Sequence, residues 1–256
     1  MTDYPKTITR INHVEPVPRR IRAVHEGRTV VDTGEARYVW EWAHYPQYYV
    51  PRRHVDEGAL IGDGRTEETP QGTVQRYRWA SSGIDGLSVA RLVVASPDHP
   101  VLVDTFRFDW DALDRWYEED EEVFVHPRNP YSRVDALRST RSVRVALDGV
   151  VLAESASPVM VFETGLPTRY YLNRTEVHFE HLVPSPTVSR CPYKGTTTGY
   201  WSVMVDGTTY QDLAWSYDFP TRQLLPIAGL VAFYNEKVDV YVDDALVDRP
   251  RIHFSD

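Results

Sequence analysis

Within this 256-residue chain, the segment best suited to chemistry is Cys191-Pro192-Tyr193-Lys194-Gly195, where a thiol and an amine sit three residues apart in a proline turn. With Lys194 and Arg190 close by, Cys191 has an electropositive setting that favours thiolate. It reads as a nucleophile or covalent anchor, or else as a small buried hydrophobe at a turn, since no histidine in the motif supplies a base. Lys194 reads as an anion anchor or a Schiff-base amine, or as a surface lysine paired with a carboxylate. Glu163 ends an apolar run and is a general base of raised pKa or one half of a structural pair with an arginine such as Arg169. Arg169 and Lys194 each follow a proline (Pro167, Pro192), and two cations fixed by rigid turns would hold a carboxylate or phosphate with little loss of freedom. Trp215 and Tyr217 alternate and so share a strand face. With Tyr193 and Tyr170 or Tyr171 they wall an aromatic pocket, or they pack an ordinary core. The catalytic candidates are thus Glu163, Cys191 and Lys194; the ligand-binding candidates are Arg169, Tyr170, Tyr193, Trp215 and Tyr217.

A bound metal is not expected. One cysteine cannot build a thiolate cage, and His178 and His181 fall on opposite faces of a strand. The acidic run Glu118–Glu122 reads as a solvated helix end.

The elements that must position these residues occur twice. A shift of 122 positions, which carries Gly27 onto Gly149, aligns residues 20–61 with 142–183 without a gap. Nine pairs are identical: Arg22/Arg144, Gly27/Gly149, Val39/Val161, Glu41/Glu163, Tyr48/Tyr170, Tyr49/Tyr171, Arg52/Arg174, Val55/Val177 and Leu60/Leu182. With small gaps the register is expected to resume at Ser96/Ser216 and at Trp116-Tyr117 against Phe233-Tyr234. So long a period means a duplicated domain, not a solenoid. Residues 1–19 read as an N-terminal arm, 20–126 as a diverged first domain, 127–141 as a linker and 142–256 as the second domain. Asp148-Gly149 and Asp206-Gly207, flanked by alternating apolar runs, are hairpin signals. Short strands predominate, so the class is all-β with one or two short helices, at Asp109–Glu119 and around Ala228–Tyr234.

Hydrophobic content of 42% and charged content of 25% are those of a globular protein, and no apolar run is long enough for a membrane span. The start of the chain shows no signal-peptide pattern, so a cytoplasmic location is expected. A net charge of −9 argues against nucleic acid or anionic membrane as a partner. The expected partner is a small-molecule ligand, with no cofactor and the oligomeric state left open.

The second copy reads Glu-Thr-Gly-Leu-Pro-Thr-Arg-Tyr-Tyr from Glu163, Cys-Pro-Tyr-Lys-Gly from Cys191, Ala-Trp-Ser-Tyr from Ala214 and Ala-Phe-Tyr from Ala232. It resembles the DUF427 family, also labelled nucleotidyltransferase domain 9, in the motifs P-x-R-Y-Y, C-P-Y-K-G, A-W-x-Y and A-F-Y; the first copy makes the chain similar to the tandem branch of that family. The resemblance implies two tandem β-tent-like domains, each with antiparallel sheets meeting at an angle. Nucleotidyl transfer would need paired carboxylates for Mg²⁺ and a phosphate-cradling loop. The residues supply neither, and Lys194-Gly195-Thr196 inverts the order of such a loop. In the first copy Thr69-Pro70-Gln71-Gly72 replaces the thiol and the lysine, Gln47 replaces Arg169, and Ala95 is expected at the place of Trp215. The site is therefore expected in the second domain. There the chain would act as an enzyme or enzyme-like protein on a small anionic or aromatic metabolite, or as a non-catalytic ligand-binding or interaction module.

Overall fold

The Asp-Gly pairs turn the chain as expected. In the computed structural model, which describes residues 9–82 and 86–251, Asp148 (φ 49°) and Gly149 (φ 83°) join Leu147 to Val150. Two successive left-handed residues make a type I′ hairpin, whose twist matches that of the strands. Nothing lies within 4 Å of a Cβ built on Gly149, so the position needs glycine's backbone freedom and not its small size. Asp206-Gly207 repeats the turn between Val205 and Thr208.

The chain divides between Pro130 and Tyr131 into two units, and each carries a seven-stranded and a four-stranded antiparallel sheet. The larger sheet of the first unit runs Val14–Pro16, Arg37–Val39, Gln47–Pro51, Thr105–Phe108, Ala90–Ala95, Gly72–Trp79, Leu60–Thr69. That of the second runs Val134–Arg138, Val159–Glu163, Arg169–Leu172, Val231–Phe233, Thr208–Ser216, Gly199–Val205, Leu182–Pro184. The order is the same strand for strand. So are the four-stranded sheets, Arg28–Thr33, Ile21–His25, Arg115–Glu118, Glu121–Val123 against Val150–Ser155, Val143–Leu147, Asp239–Val242, Ala245–Val247. The shift of 122 holds at the level of pairing: Val39 opposes Gln47 as Val161 opposes Arg169, and the isolated bridge Val31–Val55 recurs as Ala153–Val177. Even the bulge after Ala23 recurs after Val145. The fold is all-β, two tandem β-tent-like domains.

Five expectations need correction. Residues 14–16 of the supposed arm and 134–138 of the supposed linker are edge strands, paired with Arg37–Val39 and Val159–Glu163. Residues 1–8 of the arm lie outside the described residues. Asp109–Glu119 is not an α-helix but a 3₁₀ turn, Trp110–Ala112, followed by the strand Arg115–Glu118. Trp116 is buried and Tyr117 half-buried, the alternation of a strand, and pairing on both sides outweighs the helical spacing of the aromatics. The acidic run is then a hairpin tip, and Glu118 is buried, accepting a 2.6 Å hydrogen bond from the Tyr48 hydroxyl. Finally, Ala228–Tyr234 is no helix; a 3₁₀ segment, Arg222–Ile227, precedes the central strand Val231–Phe233.

Alternation splits the second domain's large sheet into two faces. Leu172, Trp201, Val203, Ala214, Val231 and Phe233 pack with the four-stranded sheet's Val143, Val145, Val240 and Val242, and half-buried Tyr170 joins them. The opposite face collects Val159, Val161, Tyr171, Tyr200, Trp215 and Tyr217 beneath Leu224 and Ile227 of the 3₁₀ segment.

Candidate functional site

The site lies on the second of these faces and is closed by a small hairpin. Arg190–Cys191 pairs with Gly195–Thr196, leaving Pro192, Tyr193 and Lys194 as the turn. Gly195 takes φ 99°, a conformation that favours glycine. Thr221 fastens the turn from the neighbouring loop: its N–H donates to the Lys194 carbonyl at 3.1 Å and its hydroxyl to the Tyr193 carbonyl. Ser189 and Thr197 close the base, with Ser189 N donating to Thr197 Oγ1 at 2.8 Å.

So anchored, Lys194 is 8% exposed, and its ammonium meets two groups. It pairs with Glu163 Oε2, on a side chain 8% exposed, and lies 3.8 Å from Cys191 Sγ. Burial favours the neutral amine, but the facing Cys191 and Glu163 outweigh it and the Lys194 pKa is raised. The sequence leaves Glu163 as a general base or as one half of a pair with an arginine such as Arg169. The partner is instead a residue 31 positions away.

Arg169 is spoken for elsewhere. Its fork binds both oxygens of Glu236, it also donates to Asn235 Oδ1, and the Asn235 amide is held by the Thr168 carbonyl at 3.2 Å. The guanidinium lies over the rings of Trp215 (5.7 Å) and Tyr234 (5.6 Å). Arg169 and Lys194 thus occupy one face but each has its own carboxylate, so they do not form an open two-cation clamp.

The aromatic wall is present. Trp215 Nε1 donates to the Tyr171 hydroxyl at 3.2 Å, and Trp215 meets Tyr234 with ring centroids 4.3 Å apart. The Tyr200 and Tyr234 hydroxyls are hydrogen-bonded to each other. Burial pushes the Tyr171 phenol up to about 12 against the pull of Lys194, and raises Tyr217 and Tyr200 as well. Of the expected residues, the structure brings Glu163, Arg169, Cys191, Lys194, Trp215 and Tyr217 to this face, with Tyr193 half-buried in the covering turn. Tyr170 is a correction: alternation sends it to the other face, and Tyr171 takes its place. Tyr200, Tyr234, Asn235 and Glu236 were missed, although Tyr234 closes the Ala-Phe-Tyr motif noted above and Asn235 and Glu236 follow it directly. A groove of about 300 Å³ lies elsewhere, along Arg144, Glu154 and Tyr241.

The first domain carries the same carboxylate in a different setting. Glu41 accepts from the Tyr49 hydroxyl (2.9 Å) and from Arg107 Nε (3.1 Å) and Nη2 (3.2 Å), with Arg91 at 3.6 Å. Pairing fixes the equivalences. Phe106 opposes both Val50 and Leu92, as Val231 opposes both Leu172 and Ser216. Arg91 therefore stands where Trp215 does and Arg107 where Ala232 does, which replaces the expected Ala95. By the same logic Trp116-Tyr117 matches Val240-Tyr241, and not Phe233-Tyr234. A stacked arginine confirms it: Arg22 lies over Tyr117 as Arg144 lies over Tyr241.

The family model described as a domain of unknown function (DUF427) matches the chain twice, over residues 13–117 and 135–244. The chain belongs to the DUF427 family. One matched segment falls in each unit and spans most of its two sheets, so the tandem organisation holds in sequence and in structure alike. A comparison with curated proteins gives no match. The DUF427 motifs of the second domain are the elements of the cluster: P-x-R-Y-Y supplies Arg169 and Tyr171, C-P-Y-K-G the covering hairpin, A-W-x-Y the Trp215–Tyr217 wall, and A-F-Y ends on Tyr234.

Proposed function

We propose that the second domain is the working half, an enzyme or enzyme-like protein acting on a small anionic or aromatic metabolite at the face built by Glu163, Cys191, Lys194, Tyr171, Trp215 and Tyr217. One observation carries the reading: a buried ammonium–carboxylate pair lies in contact with the only thiol of the chain. A buried ion pair adds little stability over apolar residues of equal volume, so its presence beside a nucleophile favours a chemical role. Lys194 sets a cation beside the Cys191 sulfur, and Glu163 holds that cation in place. Arg169, bound to Glu236, braces Trp215 and Tyr234 as a positioning residue. The ligand would enter by displacing the Arg190–Thr196 hairpin, which is held by a ladder of two residues per strand. A cytoplasmic setting suits the reading, because reducing conditions keep a lone thiol free.

The test is a thermal-shift and fluorescence screen of small aromatic acids. It uses the wild type, Cys191→Ser, and the double variant Glu163→Leu/Lys194→Met. Ligands that stabilise the wild type and not the double variant support the site; ligands held equally by all three place binding elsewhere and refute it. Saturation of both cations by protein carboxylates favours a second reading, a non-catalytic binding or interaction module. Recovery of the bound ligand unchanged after prolonged incubation would select that reading.

A further inference from the structure

We propose that Cys191 and Lys194 condense into a reversible sulfenamide cross-link when the protein meets a hydroperoxide, which shuts the site. The inference concerns regulation and rests on the reading of this face as the working site. Cys191 is half-buried, so the residue is partly open to a molecule as small as hydrogen peroxide. Lys194 Nζ stands 3.8 Å away, and both residues belong to one tight turn, so a link between them strains only that hairpin. Among the described residues Cys191 is the sole cysteine, which leaves no intramolecular thiol to resolve an oxidised sulfur. Lys194, once it has lost a proton, is an amine within reach of that sulfur.

The chemistry balances in two steps. The Cys191 thiolate attacks one peroxide oxygen; the S–O bond forms, the O–O bond breaks, and the departing hydroxide takes a proton from the Lys194 ammonium. Sulfur is oxidised by two electrons, peroxide is reduced to water, and the products are a sulfenic acid and a neutral amine. The amine then attacks sulfur. The N–S bond forms, the S–O bond breaks, and the hydroxyl leaves with the amine's proton as a second water. A small thiol reverses the link by attacking sulfur, which returns the lysine amine and, through a mixed disulfide, the free cysteine.

The link has a structural consequence because the product carries no charge. Glu163, 8% exposed, loses its counter-ion. A buried carboxylate left alone is strongly destabilising, so the hairpin loosens or Glu163 takes up a proton, and in either case the site is lost. The first domain has Thr69-Pro70-Gln71-Gly72 in place of this hairpin and arginines against Glu41, so it has no counterpart to this cross-link.

Intact-mass and peptide analysis of the full chain after brief treatment with hydrogen peroxide tests this. The expected product is two hydrogens lighter, maps to a Cys191–Lys194 peptide, resists alkylation and reverts with dithiothreitol. Lys194→Arg keeps the partner of Glu163 but offers no condensing amine, and Glu163→Leu/Lys194→Met protects against failure of that variant to fold. Both should give instead a sulfenic acid trapped by dimedone. A wild-type product that retains peroxide oxygen, or a thiol left unmodified while denatured protein reacts, overturns the proposal. The assay contains no ligand, so the two ideas fail separately: ligand binding without the cross-link sinks only this inference, and the cross-link without any ligand sinks only the functional reading.

Discussion

Removing Lys194 alone should be far more damaging than removing it together with its partner. Lys194→Met leaves the Glu163 carboxylate buried with no counter-charge, which costs about 3–5 kcal/mol in comparable sites. For a domain of this size that is a fall of roughly 10–20 °C in the melting temperature of the second-domain transition. Glu163→Leu strands the ammonium and should cost a similar amount. The double variant Glu163→Leu/Lys194→Met replaces the pair by apolar groups of like volume and should return to within about 1 kcal/mol of the wild type. The assay is differential scanning calorimetry of the full chain, with the two transitions assigned from the variants themselves. The sign of the pH dependence follows from Lys194. Its pKa is raised on folding, so its stabilisation is fully present below the unfolded value of 10.5 and is lost as pH rises through the folded one. The gap between Lys194→Met and the wild type should thus be flat through neutral pH and shrink only in strong alkali. If the single and double variants lose stability equally, the two side chains do not act as a pair, and the argument for a buried ion pair fails.

Glu236→Ala should destabilise the second domain by about 3 kcal/mol or more, because the Arg169 fork is 12% exposed and loses its main partner; thermal unfolding that is unchanged would refute this. Arg107→Ala should lower only the first-domain transition and leave the rate of Cys191 alkylation by iodoacetamide as in the wild type, since Arg107 pairs with Glu41. Metal analysis of purified protein should find no stoichiometric zinc, as one cysteine offers too few soft ligands; about one tightly held zinc per chain would overturn that.

Much of the fold was legible because the duplication supplies its own check. An ungapped shift over four strands cannot survive unless strand pairing is shared, and the pairing is indeed shared residue for residue. Legibility failed where the copies differ in loop length. Beyond residue 61 the shift changes, and the chance match of Trp116-Tyr117 with Phe233-Tyr234 misled because it pairs two aromatics, whereas the true register keeps only Tyr117/Tyr241 identical. The run from Trp110 to Tyr117 spaces its aromatics like a helix, yet Trp116 faces in and Tyr117 faces out, a parity that only the neighbouring strands impose. Tyr170 and Tyr171 pose the same problem in miniature. Two adjacent tyrosines serve two faces, and the clue lay in Arg169, which shares a face with Tyr171 by alternation. The membership of the site was largely legible because its residues sit in rare motifs. Its pairing was not: Glu163 and Lys194 meet only through a hairpin fastened by Thr221, and neither spacing nor charge along the chain indicates that contact.

The two domains solve one electrostatic problem in two ways, and that difference can be tested directly. Each places a carboxylate at corresponding positions, Glu41 two residues beyond Arg37–Val39 and Glu163 at the end of Val159–Glu163, and each buries the corresponding tyrosine, Tyr49 or Tyr171. In the first domain the balancing charge comes from Arg107 and Arg91, on central strands of the sheet. In the second, Ala232 and Trp215 occupy those places, and the cation arrives from outside on the Cys191–Gly195 turn. Giving up the arginines opens the sheet face to an aromatic wall and brings a thiol to it, at the cost of relying on a single lysine. Installing the first-domain solution, Trp215→Arg with Ala232→Arg, should therefore release that reliance: in this background Lys194→Met should cost under about 1 kcal/mol, against the full penalty in the wild type. Near-UV circular dichroism checks that the background folds, and calorimetry reads the difference. If Lys194→Met remains fully destabilising in a folded background, the arginine and lysine positions do not serve the same carboxylate, and the equivalence drawn from strand pairing is wrong at the site itself.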